Sequence, residues 1–405
     1  MEKIYYTNQY IKEFIADIVE IVEIDNKYHI LLNKTAFFPG GGGQFCDLGT
    51  IDIQNVIDVY EKEGKVYHIL EKKPINIHNV KCKINWDRRE DGMHQHFGQH
   101  VLSGSFFKLL NANTVSFHLG KEISTVDIEG ILNEDQIRKV ESYANEVISQ
   151  NIKVETLIPS KKDIKKIWIR RKLPDTSEDI RILKIGELDS NACCGVHPSS
   201  TLELKMIKIK RWEKNKEATR IEFLAGKRAI NYSLKRDKHL SDICKYLNCS
   251  DEEALKGIKN LYNKLEITIE NNKKLEDEVI NYEISSMIKN SIKIDNIAIV
   301  KNIYNNKDIK YAIKIASKLS NYDNTIILLG IKNEDKANLI FTCSKNIEHI
   351  NMNTLLNDSI TLIEGRGGGN SFLSQGGGKN NGNLELAIEC AISKIKKIQK
   401  WFLIF

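Results

Sequence analysis

Between Val19 and about Ile84, apolar and polar residues alternate in short runs, KYHILL, NVIDVYEK and KVYHIL, separated by clusters of Asn, Asp, Gly and Lys. Period-two alternation between turn residues is the pattern of half-buried strands, so this region is expected to be β-rich. Its middle is interrupted by FFPGGGGQFCDLG, where Pro39 and Gly40 to Gly43 forbid a regular element. Such a run is either a flexible loop or a backbone that comes close to a ligand. From Trp86 the period becomes helical. Val101, Leu102, Phe106, Leu109 and Leu110 recur in HVLSGSFFKLLN, and NEDQIRKVESYANEVISQ reads as a second amphipathic helix with Asn133 as its N-cap. The strand-like runs IKVETLI, DIRILKI and LELKMIKIK surround the loop GELDSNACCGVHPSST, which makes this stretch α+β.

Farther on, Ile258, Leu261, Leu265, Thr268, Asn272, Leu275 and Val279 recur at alternating spacings of three and four, a heptad seam. Its polar members Thr268 and Asn272 weaken a coiled coil while fixing its register, and the seam is expected to pair either with a second copy or within its own domain. From about Lys293, NIAIVKNI, IKYAIKIASKLSN and NTIILLGI alternate strand, helix and strand, an α/β unit that ends near a second glycine cluster, EGRGGGNSFLSQGGG. The expected organisation is a β-rich region over 1–85, an α+β region over 86–212, a helical segment over 213–290 and an α/β region over 291–405.

Composition changes this picture little. The 405 residues carry 60 Lys+Arg and 54 Asp+Glu, a formal charge of +6 that permits an anionic partner without demanding one. No run of about 18 apolar residues occurs, and MEKIYYTNQYIKEF lacks the apolar centre of a signal peptide, so a cytoplasmic protein without membrane attachment is expected. Eight cysteines are too scattered for a disulfide framework. Only Cys193 and Cys194 stand out, because His197 follows.

The stretch GMHQHFGQHVLSG holds three histidines. His96 and His100 are four apart and project from one face of a helix, a geometry suited to a pair of metal ligands, while His94 points elsewhere. About 90 residues later Cys193 and His197 are again four apart, beside Gly195. Two such pairs point to a metal site, and a thiolate with imidazoles suits Zn2+ better than the oxygen-seeking ions. Cys194 remains an alternative thiolate. Phe97, Gly98 and Gln99 stand between the histidines, so the glutamate of a zinc peptidase is missing. Four protein ligands would also leave no open position, the arrangement of a structural zinc.

Taken together, TAFFPGGGGQFCDLG, WDRREDGMHQHFGQHVLSG, SFHLGKEISTVDI, DIRILKIGELDSNACCGVHPSSTLEL and RWEKNKEATRIEFLAGKRA resemble, in order and spacing, the editing region of alanyl-tRNA synthetases and the freestanding alanyl-tRNA editing proteins, the AlaX family. GRGGGNSFLSQGGG resembles the signature of the DHHA1 domain found at the end of the synthetases and of long AlaX proteins. The resemblance implies an α+β fold with a barrel-like N-terminal domain, a zinc-binding editing domain, a helical or coiled-coil segment and a C-terminal DHHA1 domain. It implies trans-editing, the hydrolysis of serine, and also glycine, from mischarged alanine tRNA. His96, His100, Cys193 and His197 fall on the family's zinc ligands, Thr35 on its serine-recognising threonine and Gln44 on the glutamine beside the reaction centre. Gly41, Gly42 and Gly43 fall on the substrate-binding loop. Phosphate contacts to tRNA are expected from Arg170, Arg171, Lys172 and Arg366, and homodimerisation from the helical and C-terminal region. Phe45, Cys194 and Val196 depart from the family's GGGQP and CGGTH. The chain starts directly at the editing region and has no Asp-His-His motif, so neither a full synthetase nor a DHH phosphoesterase is expected. The competing reading is a non-catalytic tRNA-binding module with a structural zinc.

Overall fold

Asp25 and Asn26 (φ 52° and 59°) turn strand Ile18–Ile24 back onto Lys27–Leu32, and Glu63 and Gly64 (φ 52° and 75°) do the same between Gln54–Lys62 and Lys65–Leu70. Positive φ at both turn positions matches the twist of the flanking strands. The computed structural model describes residues 1–160, 162–174 and 179–402; of the region expected over 291–405, residues 403–405 lie outside the described residues. Contacts divide the chain into two units, Met1–Asp251 and Glu252–Phe405.

In the first unit, strands Glu13–Ala16, Val80–Ile84, Gly49–Ile51, Gln54–Lys62, Lys65–Leu70, Lys27–Leu32 and Ile18–Ile24 lie side by side in that order, every neighbour antiparallel. The alternation is plain in Val80–Ile84, where Val80, Cys82 and Ile84 are buried while Lys81 and Lys83 are exposed. Ile30, Leu32, Phe37, Val59 and Leu70 build the core of this sheet. A second sheet pairs Thr114–Leu119, Ser124–Glu129, Ala218–Ala225 and Ile207–Asn215, and a third pairs Val154–Leu157, Ile182–Ile185 and Asp189–Ala192.

Helix α1 (Trp86–Leu110) opens at Asn85, whose side chain accepts the Arg88 N–H, and closes at Asn111 in the left-handed conformation (φ 52°). The sequence pattern predicts one apolar stripe, yet residues 92–106 are buried all round. The helix is enclosed by α2 (Glu134–Ser149), the second sheet and strand Asp189–Ala192, and its buried glutamines are hydrogen-bonded inside. Gln95 donates to the Ala225 carbonyl at 2.9 Å and accepts its N–H at 3.1 Å, and Gln99 donates to Ser103 at 2.8 Å. His94 packs against Gly226, its pKa lowered by burial. Gly98 permits the contact between α1 and the sheet, because a Cβ there would stand 2.6 Å from the Ala225 Cβ. Helix α2 has the expected N-cap: Asn133 and Gln136 exchange side-chain bonds with each other's backbone N–H.

The helical segment expected over 213–290 is corrected by the structure. Residues 218–225 form a strand, because Ile221, Phe223 and Ala225 alternate into the core that α1 and α2 share. Helix α3 (Lys227–Leu247) then completes the first unit, and α4 (Ala254–Lys289) opens the second.

The second unit holds a six-stranded sheet in the order Ile292–Ile294, Ile297–Asn305, Thr325–Lys332, Lys336–Cys343, Leu373–Lys379 and Arg366–Gly369. Ile297–Asn305 and Thr325–Lys332 run parallel, joined through helix Ile309–Leu319, as the strand, helix, strand pattern predicts. In Thr325–Lys332, Ile326 and Leu328 enter one core while Ile327, Leu329 and Ile331 enter another, which explains its unbroken apolar run. No helix among the described residues is long and apolar enough to cross a membrane.

Candidate metal centre

α1 supplies His96 and His100 one turn apart, their ring centroids 5.1 Å from each other. Strand Asp189–Ala192 delivers Cys193 at its end, and the loop that follows brings His197 back over the pair, 4.9 and 5.3 Å from the two rings. The Cys193 Sγ lies 3.4 Å from both His96 Nε2 and His197 Nε2, and one donor atom from each of the four residues falls within 4.8 Å of every other. Tetrahedral donors about 2.0–2.3 Å from a common ion are themselves about 3.5 Å apart, so the spacing fits a metal. Cys193, not Cys194, is the thiol in the cluster. Cys194 is exposed and faces the glycine loop instead.

The surroundings prepare these donors. Gln44 Oε1 accepts the Val196 N–H at 3.1 Å, so the His96 Nδ1 that also lies 3.1 Å from it must be the protonated nitrogen, leaving Nε2 as a lone-pair donor. Asp189 Oδ2 stands 3.2 Å from His100 Nδ1 and fixes that ring in the same way. His100 Nε2 is buried with no hydrogen-bond partner, an orphan that a metal would satisfy. Burial would push the Cys193 thiol up, but His96, His197 and His100 outweigh it and hold the thiol well below its usual value. Burial lowers His197 to about 4, which keeps that ring neutral. It opposes charge on His100 as well, yet Cys193 and Asp189 draw that ring up to about 9. Three imidazoles and one thiol whose donor atoms converge in this way fit a metal ion.

His96, His100 and Cys193 line a cavity of about 290 Å³. Gly42 and Phe117 line it as well, together with Arg170 and the exposed Arg171 and Lys172. Gly40 to Gly43 all have φ between 58° and 143°, a left-handed path closed to most side chains, and a Cβ on Gly43 would come 2.7 Å from the Phe117 ring. The loop is clamped at its base, where Asp47 N–H bonds the Phe38 carbonyl at 2.9 Å and the Asp47 carboxylate receives both the Phe38 N–H and the buried Arg89. It is an ordered cradle rather than a flexible linker.

Thr35 and Arg170 both make contacts inside the protein. Thr35 is fully buried in the short strand Lys34–Thr35 and is not among the residues that line this cavity. His68 Nδ1 stands 3.0 Å from the Ile30 carbonyl and can only donate to it, so the Thr35 hydroxyl donates to His68 Nε2 at 2.8 Å while accepting the Phe37 N–H. Its hydroxyl is engaged in supporting the strand that leads into the glycine loop. Arg170, expected on tRNA phosphates, is turned inward because its guanidinium is held by the Asp189 carboxylate, leaving its side chain 1% exposed. Arg366 is exposed at the start of an edge strand of the second unit. Asp189 and Phe117 escaped sequence reasoning, although Asp189 stands four residues before Cys193 and Phe117 lies within SFHLG.

Residues 180–222 match the family described as the threonyl and alanyl tRNA synthetase second additional domain, and residues 291–397 match the DHHA1 domain. Over 394 residues the chain is 30% identical to alanyl-tRNA editing protein AlaX-L of Pyrococcus horikoshii, an alignment that covers 93% of this chain and 94% of that one. It is 31% identical over 254 residues to alanyl-tRNA editing protein Aarsd1 of Mus musculus, covering 62% of each. With the alanine–tRNA ligase of Methanobrevibacter smithii it shares 26% identity over 412 residues, spanning 97% of this chain but only 45% of the ligase.

Proposed function

The chain belongs to the alanyl-tRNA editing proteins, and on that premise we propose that it is a trans-editing hydrolase that releases serine, and also glycine, from mischarged alanine tRNA. One observation carries the reading: His96, His100 and Cys193 of the four-donor cluster line a cavity that the exposed Arg171 and Lys172 also line. Serine differs from alanine by one hydroxyl, which an activation pocket of alanine's size rejects weakly, so a second hydrolytic site supplies the missing discrimination.

We take the ion to be Zn2+, held by His96, His100, Cys193 and His197; when bound it supplies Lewis acidity or an anchor for the aminoacyl end. Gln44 holds His96 through its carbonyl oxygen, and its amide N–H2, which bonds no described residue, is available to the ester carbonyl or to the attacking water. Gly42 lets backbone approach the aminoacyl group without a side chain between them, and Phe117 narrows the cavity around a small residue. Arg171 and Lys172 hold phosphates near the tRNA end, an affinity that weakens with salt. The exposed seam of α4 receives a second copy of the chain.

The test is deacylation of Ser-, Gly- and Ala-charged alanine tRNA, with zinc content measured on the same sample and His100→Ala as control. Loss of serine with alanine spared, abolished in the control, supports the hydrolase. A zinc-loaded protein that binds tRNA and cleaves no ester would make the site a structural zinc in a binding module.

A further inference from the structure

Asp189 makes more of its carboxylate than a histidine brace requires. It is 1% exposed, and three groups share it: His100 Nδ1 at 3.2 Å from Oδ2, Arg170 Nε at 2.7 Å from Oδ1 and the Asn191 amide at 2.6 Å from Oδ1. Arg170 reaches Oδ2 as well at 3.4 Å, and its other Nη extends to Thr114 Oγ1, which in turn donates to Ser103 of α1 at 2.7 Å. A buried carboxylate without a counter-charge is costly, and here the guanidinium provides one.

The backbone beside Arg170 is tied to the same strand. The Arg170 N–H bonds the Ser190 carbonyl at 3.0 Å, and the Arg171 N–H bonds Asn191 Oδ1 at 3.1 Å. Asn191 therefore touches both the carboxylate and the segment that carries Arg171 and Lys172 to the cavity mouth. One hydrogen-bonded unit runs from the metal ligand His100 through Asp189 to Arg170, Asn191 and the basic rim.

We infer that Asp189 and Arg170 are positioning residues that set His100 for metal binding and couple that ligand to the rim, an inference that rests on the zinc reading above. Asp189 fixes the ring so that Nε2 faces the other three donors. Arg170 holds the Asp189 carboxylate in line with His100, and because it adjoins Arg171, a shift of the rim is felt at His100. The coupling is reciprocal: anion occupancy at the mouth and metal affinity inside change together.

Zinc retention by the purified protein against a chromogenic chelator, and the visible absorption of the cobalt-substituted form, test this independently of turnover. Asp189→Asn is expected to weaken zinc retention about 10- to 100-fold and to change the cobalt spectrum, as loss of a ligand's outer partner does. Arg170→Met should weaken retention and raise KM for charged tRNA, and Arg170→Lys should recover part of both. The double variant should cost no more than the larger single change, since the pair acts as a unit. Asp189→Asn protein with wild-type circular dichroism, retention and cobalt spectrum would overturn the inference. Should that variant fail to fold, Arg170→Met carries the same test, and wild-type retention, spectrum and KM in it would overturn the coupling. Wild-type protein that takes up no zinc would instead refute the zinc reading itself.

Discussion

Helix α1 holds inside the groups that ordinarily face water, and helix α4 turns outward the groups that ordinarily lie inside. In α1, Gln95, His96, Gln99, His100 and Ser103 are buried. In α4, Ile258, Leu261, Leu265, Leu275 and Val279 are 47–60% exposed, while only Ala254, Ile280 and Ile284 are buried. The same arithmetic of burial explains both. A polar group is tolerated inside when it has a partner, and α1 gives its glutamines hydrogen bonds and its two ligand histidines a cluster to join. A row of apolar groups left outside gains nothing until a partner covers it, so α4 has the composition of an interface.

Metal removal should break the contrast most strongly. With free zinc at about 1,000 times its Kd, the bound ion contributes about 4 kcal/mol, so chelation should strip hydrogen-exchange protection from α1 and leave the strands of the second unit unchanged. Equal loss in both units would mean that the cluster is not a local clasp. Gly98→Ala comes next: with 2.6 Å to Ala225, overpacking should cost about 1–3 kcal/mol in urea unfolding. Full stability in that variant would show that α1 does not need its close seat on the sheet.

His68 extends the comparison to a buried polar group outside the metal cluster. Burial lowers its pKa from 6.5 to about 4, so between these values the unfolded chain takes up a proton that the folded chain refuses. Stability is therefore lost as pH falls through that window, by at most about 1.4 kcal/mol per pH unit from this residue. Unfolding curves of wild type and His68→Asn should converge in their difference as the pH is lowered from 7 towards 4.5; parallel curves would exclude His68 from acid sensitivity. The smallest effect on the protomer is expected from Leu265→Lys, within about 0.5 kcal/mol because the site is exposed. Sedimentation should nevertheless show weakened self-association, since like charges would meet across a paired seam. An unchanged association constant would remove the second copy as the occupant.

Much of this was legible in the sequence because it is local. The alternation of the strands, the Asn133 cap and the His96/His100 pair depend on residues a few positions apart. The spacing of Cys193 and His197 named the other half of the cluster, but only the fold chose Cys193 over Cys194. What could not be read was direction. Arg170 and Arg171 are neighbours of one type, yet a buried carboxylate draws the first inward while the second remains exposed at the cavity. Thr35 likewise lies within the matching motif, and only the fold shows that its hydroxyl meets His68 and the Phe37 N–H. Residues 218–225 read as part of a helical region because their strand character depends on pairing with Ser124–Glu129, about 95 positions away.

His96 and Cys193 meet across 97 positions of chain. Bringing such distant segments together belongs to the late, slow part of folding, when the loop between them has already lost its freedom. An ion that needs both halves cannot act as a nucleus. Metal should accordingly slow the opening of the finished domain and leave its rate of formation nearly unchanged. During synthesis the four donors are all present only after His197 has emerged, past the whole of α1 and α2.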